Sequence, residues 1–183
     1  MDLDKVIAGC KKDDRKAQES LYKHYAPLFL AMIRRYVKDE MEAEDVLVEA
    51  FVKIYGNLNQ YSGNGSFEGW MKRIVVNEAL MYLRKNQRYK HWEELDNVQV
   101  AEPATIIPML EARQILQLLD FLPDGYRTIF NLYVIEGYKH REIAELLGIS
   151  INTSKSQLIL AKQRMKQLIE NKLYLVTPLN SSN

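Results

Sequence analysis

The densest chemistry in this chain is cationic. Residues 139–172 hold seven Lys/Arg against three Asp/Glu, a local charge of +4. Such a density suits a polyanion, and duplex DNA presents closely spaced phosphates. The stretch KHREIAELLGISINTSKSQLILAKQRMKQL (139–168) is patterned as two helices around a tight turn. Ile143, Ala144 and Leu147 give the first an apolar face. Gly148 suits a left-handed helix end, and Ser150 suits the cap of the second helix. Ile149, Leu158 and Ala161 supply that helix with apolar contacts, and small Ala144 permits a close crossing. This is helix-turn-helix spacing, in which the second helix enters the major groove. An ordinary helical hairpin would share the apolar spacing.

A second basic segment has a different character. Residues 72–90 carry six Lys/Arg and a single acid, Glu78. On a helical wheel Trp70, Arg73, Asn77, Arg84 and Arg88 share a stripe, beside an apolar face of Phe67, Met71, Ile74 and Met81. Arginine contacts phosphate, asparagine hydrogen-bonds a base edge, and aromatic rings stack on unpaired bases. Tyr61, Phe67 and Trp70 are the candidate rings. Phe67 fits a core position better, whereas Tyr61 and Trp70 fit either role. The helix at 40–58 is the opposite kind of surface. Leu47, Ala50, Phe51, Ile54 and Leu58 fall within roughly 100° of arc as a core side. Asp45, Val48, Glu49, Val52 and Gly56 lie opposite. Valines among carboxylates on an outer face suit docking onto a basic partner, and a solvated acidic face is the plainer reading.

These segments must be positioned by helices. Periodicity near 3.6 runs through 3–11, 14–36, 40–58, 66–89, 109–121, 124–136, 139–147 and 151–172, with Asp39, Ser66 and Ser150 as N-caps. The expectation is an all-α chain of two small helical domains joined by a flexible linker, the second a helix-turn-helix domain. Residues 1–92 form the first, 93–108 the linker, 109–173 the second and 174–183 a tail. The linker EELDNVQVAEPATIIP is acidic and lacks amphipathic period. The whole-chain charge of +1 thus averages two basic parts and an acidic join. A lone cysteine, Cys10, excludes an internal disulfide, and His24, His91 and His140 lack metal-ligand spacing. No Gly-rich phosphate loop or nucleophile–His arrangement is visible, so neither a cofactor nor an enzyme is expected. The N-terminus lacks a signal core and no run is long enough to span a membrane, which points to the cytoplasm.

Together the motifs resemble the extracytoplasmic-function subfamily of the sigma-70 RNA polymerase sigma factors. LYKHYAPLFLAMIRRYVKDEMEAEDVLVEAFVKIYGNL (21–58) is similar to the family's polymerase-binding region. SFEGWMKRIVVNEALMYLRKNQR (66–88) is similar to its promoter-melting, minus-ten-reading region, and residues 122–165 to its minus-thirty-five-reading domain. The resemblance implies a transcription initiation factor whose partners are core RNA polymerase, promoter DNA and an anti-sigma protein. The DNA would be double-stranded upstream and single-stranded at the minus-ten element. The resemblance places Asp45, Glu49 and Phe51 in the polymerase-gripping stretch, with Phe51 as the core residue that sets the helix. With Val48 and Val52 from the outer face, the expected polymerase-binding residues are Asp45, Val48, Glu49 and Val52. The implied minus-ten set is Tyr61, Trp70, Arg73, Asn77, Arg84 and Arg88, with the loop 61–66 capturing a flipped base. The implied minus-thirty-five set is Arg141, Ser150, Thr153, Lys155, Ser156, Gln157, Leu160 and Lys162, with Lys155, Ser156 and Gln157 opening the exposed side of the recognition helix.

The chain also departs from the family pattern. Val48 stands where a Gln is common, and Met81 where an Asp is frequent. Ser154 replaces a usual Val, weakening a core contact, and Gln157 and Leu160 replace arginines. Leu160 would meet a thymine methyl rather than hydrogen-bond a base. The alternative is a helix-turn-helix regulator that works without polymerase. It accounts for the C-terminal segment but not for the acidic face or the aromatic-basic stripe.

Overall fold

Helix caps and apolar stripes set the elements of the computed structural model, which describes residues 2–86 and 112–176. All regular structure among them is helical. In the first unit α1 spans Leu3–Cys10, α2 Arg15–Ile33, α3 Glu40–Asn57 and α4 Phe67–Lys85, with a short 3₁₀ turn Leu58–Gln60 after α3. In the second, α5 spans Ala112–Leu119, α6 Asp124–Phe130, α7 His140–Leu147 and α8 Ile151–Val176. The chain divides into Met1–Arg88 and Tyr89–Asn183. The acidic stretch 93–108 and most of the tail lie outside the described residues. No described helix is long and apolar enough to cross a membrane.

The caps follow local chemistry. Asp39 Oδ1 accepts from Glu42 N at 3.0 Å, and Glu40 and Glu42 place negative charge at the positive end of α3. Ser66 Oγ accepts from Gly69 N at 3.2 Å, while Arg84 and Lys85 close the far end of α4. Ser150 Oγ accepts from Thr153 N at 2.9 Å. Gly148 turns the chain between α7 and α8 at φ 68°, ψ 34°.

The first unit packs α4 and α2 against α3. Leu47, Ala50, Phe51 and Ile54 of α3 are buried, as are Phe29 of α2 and Met71 and Leu80 of α4. Phe51 sits in an aromatic group, 4.7 Å from the Tyr22 ring and 5.8 Å from that of Phe29. The buried stripe of α4 is Phe67, Met71, Val75, Val76, Ala79, Leu80 and Leu83. Met81, placed on the apolar face by the wheel, is instead 52% exposed. Glu78 is buried in this seam, and Lys53 of α3 reaches its carboxylate at 2.7 Å.

The second unit is built around α8, whose Leu158, Ala161, Met165 and Ile169 are buried. Ile143 and Ala144 of α7 and Ile129 and Phe130 of α6 complete that core. The periodicity predicts one helix over 124–136. The structure instead changes pitch after Phe130, and Asn131–Ile135 is a π-helix. Glu136 N donates to Asn131 O at 2.9 Å, and Gly137 then leaves the helix at φ 77°. Such a turn inserts one residue and rotates the helix face, leaving Tyr133 and Val134 exposed.

The Lys53–Glu78 pair yields the first prediction. Lys53→Ala leaves a buried carboxylate unpaired and lowers stability by about 2 kcal/mol. Lys53→Met combined with Glu78→Leu, which removes both charges, costs less than the single change. Urea unfolding followed by circular dichroism measures both; equal losses would count against the pair.

Candidate functional site

The outer face of α3 is turned to solvent. Asp45 and Glu49 are exposed, and neither forms an ion pair among the described residues. Val48 is 53% exposed and Val52 65%. Met41, one turn before Asp45, is also exposed and extends the apolar part of this face. The sequence reading missed Met41, although its spacing of four to Asp45 and seven to Val48 was the signal.

At the start of α4 the chain forms an aromatic cluster beneath a glycine loop. Phe67 is buried, whereas Tyr61 and Trp70 are half-buried. The Phe67 and Trp70 rings stack at 5.5 Å, and Tyr61 lies 5.0 Å from Phe67 and 5.6 Å from Trp70. Tyr61 Oη donates to Gly65 O at 2.9 Å, and Lys11 Nζ donates to Tyr61 O at 3.4 Å. Gly63 and Gly65 adopt φ of 79° and 89°, conformations that a side chain strains even though open space surrounds both. The cluster fixes the loop ends and leaves residues 62–66 exposed. Phe67 is thus a core ring, and Tyr61 and Trp70 each keep part of a ring on the surface.

Along α4, Arg73, Asn77 and Arg84 are exposed, while Arg88 lies outside the described residues. Met81 falls between Asn77 and Arg84 on this stripe and touches Lys53 Nζ through its sulfur at 3.8 Å. Lys72 is tied to Glu68 at 2.7 Å, so it adds less to the stripe than its charge suggests.

On α8 the expected set divides. Lys155 is exposed, and Ser156, Leu160 and Lys162 are half-buried. The Ser150 and Thr153 hydroxyls lie 2.8 Å apart and serve the helix cap. Ser156 Oγ donates to Thr153 O at 3.1 Å. Arg141 on α7 is exposed, with Glu145 at 3.4 Å. Gln157 does not open the exposed side, because it is only 2% exposed. It follows Ser154 by three residues and precedes Ala161 by four, so it shares their buried face. Exposed Asn152, in the first turn of α8, was overlooked. Its signal was an amide near the N-terminus of a recognition helix, where base contacts arise.

The chain is similar to known proteins over most of its length. Residues 21–89 match sigma-70 region 2, and residues 112–165 match sigma-70 region 4. The RNA polymerase sigma-H factor of Pseudomonas aeruginosa is 26% identical over 179 residues, covering 90% of this chain and 92% of that protein. The ECF RNA polymerase sigma-E factor of Escherichia coli is 27% identical over 181 residues, covering 92% of each. Two solved complexes share the fold. One is the sigma factor RpoE with the anti-sigma factor NepR from Bartonella quintana, at TM-score 0.52 and 19% identity over 83% of this chain and 96% of that one. The other is CnrH with the cytosolic domain of CnrY, at TM-score 0.51 and 18% identity over 91% and 96%. The chain belongs to the sigma-70 family, in its extracytoplasmic-function subfamily.

The burial of Gln157 has a measurable consequence. Gln157→Ala lowers thermal stability by about 1–2 kcal/mol, as expected for truncating a buried side chain. Asn152→Ala, at an exposed site, changes it by less than about 0.5 kcal/mol. Scanning calorimetry distinguishes the two; an equal effect would place Gln157 on the surface.

Proposed function

We propose that this chain is a transcription initiation factor that binds core RNA polymerase through the outer face of α3 and directs it to promoters. The observation that carries this reading is the pairing of faces in one small unit. Unpaired Asp45 and Glu49 with exposed Val48 and Val52 flank a seam whose other helix displays Arg73, Asn77 and Arg84 beside half-exposed rings. A regulator that works without polymerase has no use for the first face. A binder of closed duplex has little use for the rings.

The two faces divide the work. Carboxylates on α3 meet cationic groups of the polymerase, and the valines and Met41 bury against its apolar surface. That contact sets the register of α4 on the minus-ten element. The arginines neutralise the displaced strand, and Asn77 reads a base edge. Flipping a base costs a few kcal/mol, which stacking against Tyr61 or Trp70 offsets at roughly 1–3 kcal/mol per base. The glycine loop supplies backbone close to that base. In the second unit α8 lies in the major groove of the upstream element, with Lys155, Asn152 and Leu160 toward the bases and Arg141 and Lys162 toward phosphate. Residues 1–92 and 109–173 act as the two domains and 93–108 as the acidic join. The protein works in the cytoplasm without catalysis or a cofactor. An anti-sigma protein that covers both DNA-binding surfaces is the further partner; RpoE, which shares the fold, is solved in complex with the anti-sigma factor NepR.

Asp45→Arg combined with Glu49→Arg abolishes co-migration with core polymerase while leaving helix content unchanged. A folded double variant that still co-migrates would remove α3 from the interface. Strand opening is tested separately. Trp70→Ala and Asn77→Ala slow permanganate reactivity at the minus-ten element of duplex promoters, and Trp70→Ala recovers on templates already unpaired there. Opening of duplex DNA at the wild-type rate by both variants would make the stripe structural.

A further inference from the structure

Ser154 is completely buried where α7 crosses α8. A buried hydroxyl is costly unless it is hydrogen-bonded. Its partner comes from the other helix, because Ser154 Oγ lies 2.9 Å from His140 Nδ1. His140 opens α7 and is half-buried. Its ring stacks on Tyr133 with centroids 4.4 Å apart and planes 24° from parallel. Tyr133 in turn is presented by the π-helix, so the irregular turn, the first helix and the recognition helix meet at one imidazole. Burial pushes the His140 pKa below its ordinary value, and the charges of Lys155 and Lys162 push it the same way. A neutral imidazole keeps one ring nitrogen as an acceptor, which the Ser154 hydroxyl can satisfy.

Each partner is followed in sequence by an exposed cation. Arg141 follows His140, and Lys155 follows Ser154. The bond therefore joins the immediate neighbours of two charges on different helices. An apolar contact here would hold the helices together but tolerate sliding and rotation. A hydrogen bond near 2.9 Å is directional and fixes one register.

We propose that His140 is a positioning residue for upstream promoter recognition: its clasp on Ser154, braced by Tyr133, fixes the crossing of α7 on α8 and hence the spacing of Arg141 and Lys155 over DNA. This rests on the DNA-binding reading of the second unit. It explains why Ser stands at a buried helix crossing, since the polar side chain lost apolar contact and gained a fixed partner.

The test uses the full chain bound to core polymerase on a promoter mapped from its own transcript starts. His140→Phe keeps a ring against Tyr133 and removes the ring nitrogen that bonds Ser154. Ser154→Ala removes the hydroxyl with little change of shape. Each weakens retention on duplex carrying the native upstream element by roughly fivefold to tenfold. The double variant is no weaker than the worse single, because both remove one bond. His140→Asn, whose amide reaches the position of Nδ1, restores retention to within about twofold of wild type. Additive losses, or failure of His140→Asn to rescue, would overturn the proposal. An independent arm needs no DNA: Ser154→Ala shifts the imidazole nitrogen resonance of His140 in the free chain, and an unmoved resonance overturns the clasp. If the wild-type holoenzyme shows no preference for its upstream element, the DNA-binding reading has failed, and the imidazole resonance still decides whether the clasp exists.

Discussion

The seam between α3 and α4 is the constraint on which the first unit depends. Each helix has one stripe to bury, and both bury it in the same small core. Phe51, Ile54, Met71 and Leu80 fill that core, and the Lys53–Glu78 pair crosses it at one edge. Because the inner faces are used up, the outer faces are left at the surface. Acidic and apolar residues on α3 and basic residues on α4 are thereby held in fixed relation without touching each other. A shift of one helix along the other would move both outer faces, so packing and the proposed function are under the same restraint.

The second unit solves a different problem. Its core is small and admits polar groups: Arg127, Thr128, Asn131, Ser154 and Gln157 are all buried. Arg127 is held by Asp124 at 2.7 Å, and Ser154 by His140. Buried polar groups contribute little net stability, but they penalise every arrangement in which their partners are missing. A recognition helix needs that kind of specificity more than it needs stability. Its side chains must meet base edges within a few tenths of an ångström, and a loosely packed apolar crossing would not hold them there.

The energetics of initiation fit such modest modules. Each surface is a few side chains on one or two helices, and none alone would discriminate strongly against competing DNA. Joining the surfaces in one chain, and that chain to one polymerase, makes their free energies cooperate through effective concentration. Strand opening draws on the same reserve. In the proposed mechanism the cost of unstacking is offset by ring contacts and by arginines that neutralise the displaced strand, beside a glycine loop whose backbone holds conformations that other residues strain to reach.

Whatever depends on neighbours along one helix is legible in the sequence. Caps at Asp39, Ser66 and Ser150, the left-handed Gly148 and the amphipathic stripes of α3 and α8 are written in spacings of three and four residues, so element positions and the exposed Asp45/Val48/Glu49/Val52 face were legible. The three motifs in order also made the family legible. The rotation of each helix against its neighbours is set by the packing in three dimensions. That rotation buried Gln157 and exposed Met81, although polarity alone suggested the reverse for both. It left Tyr61 and Trp70 half-exposed, a state no wheel can assign. It also paired Lys53 with Glu78 and His140 with Ser154, partners 25 and 14 residues apart. The π-helix after Phe130 was equally hidden, because a change of pitch answers to what the next turn packs against. Periodicity is a property of one helix, whereas side-chain pairing depends on two helices and the angle between them.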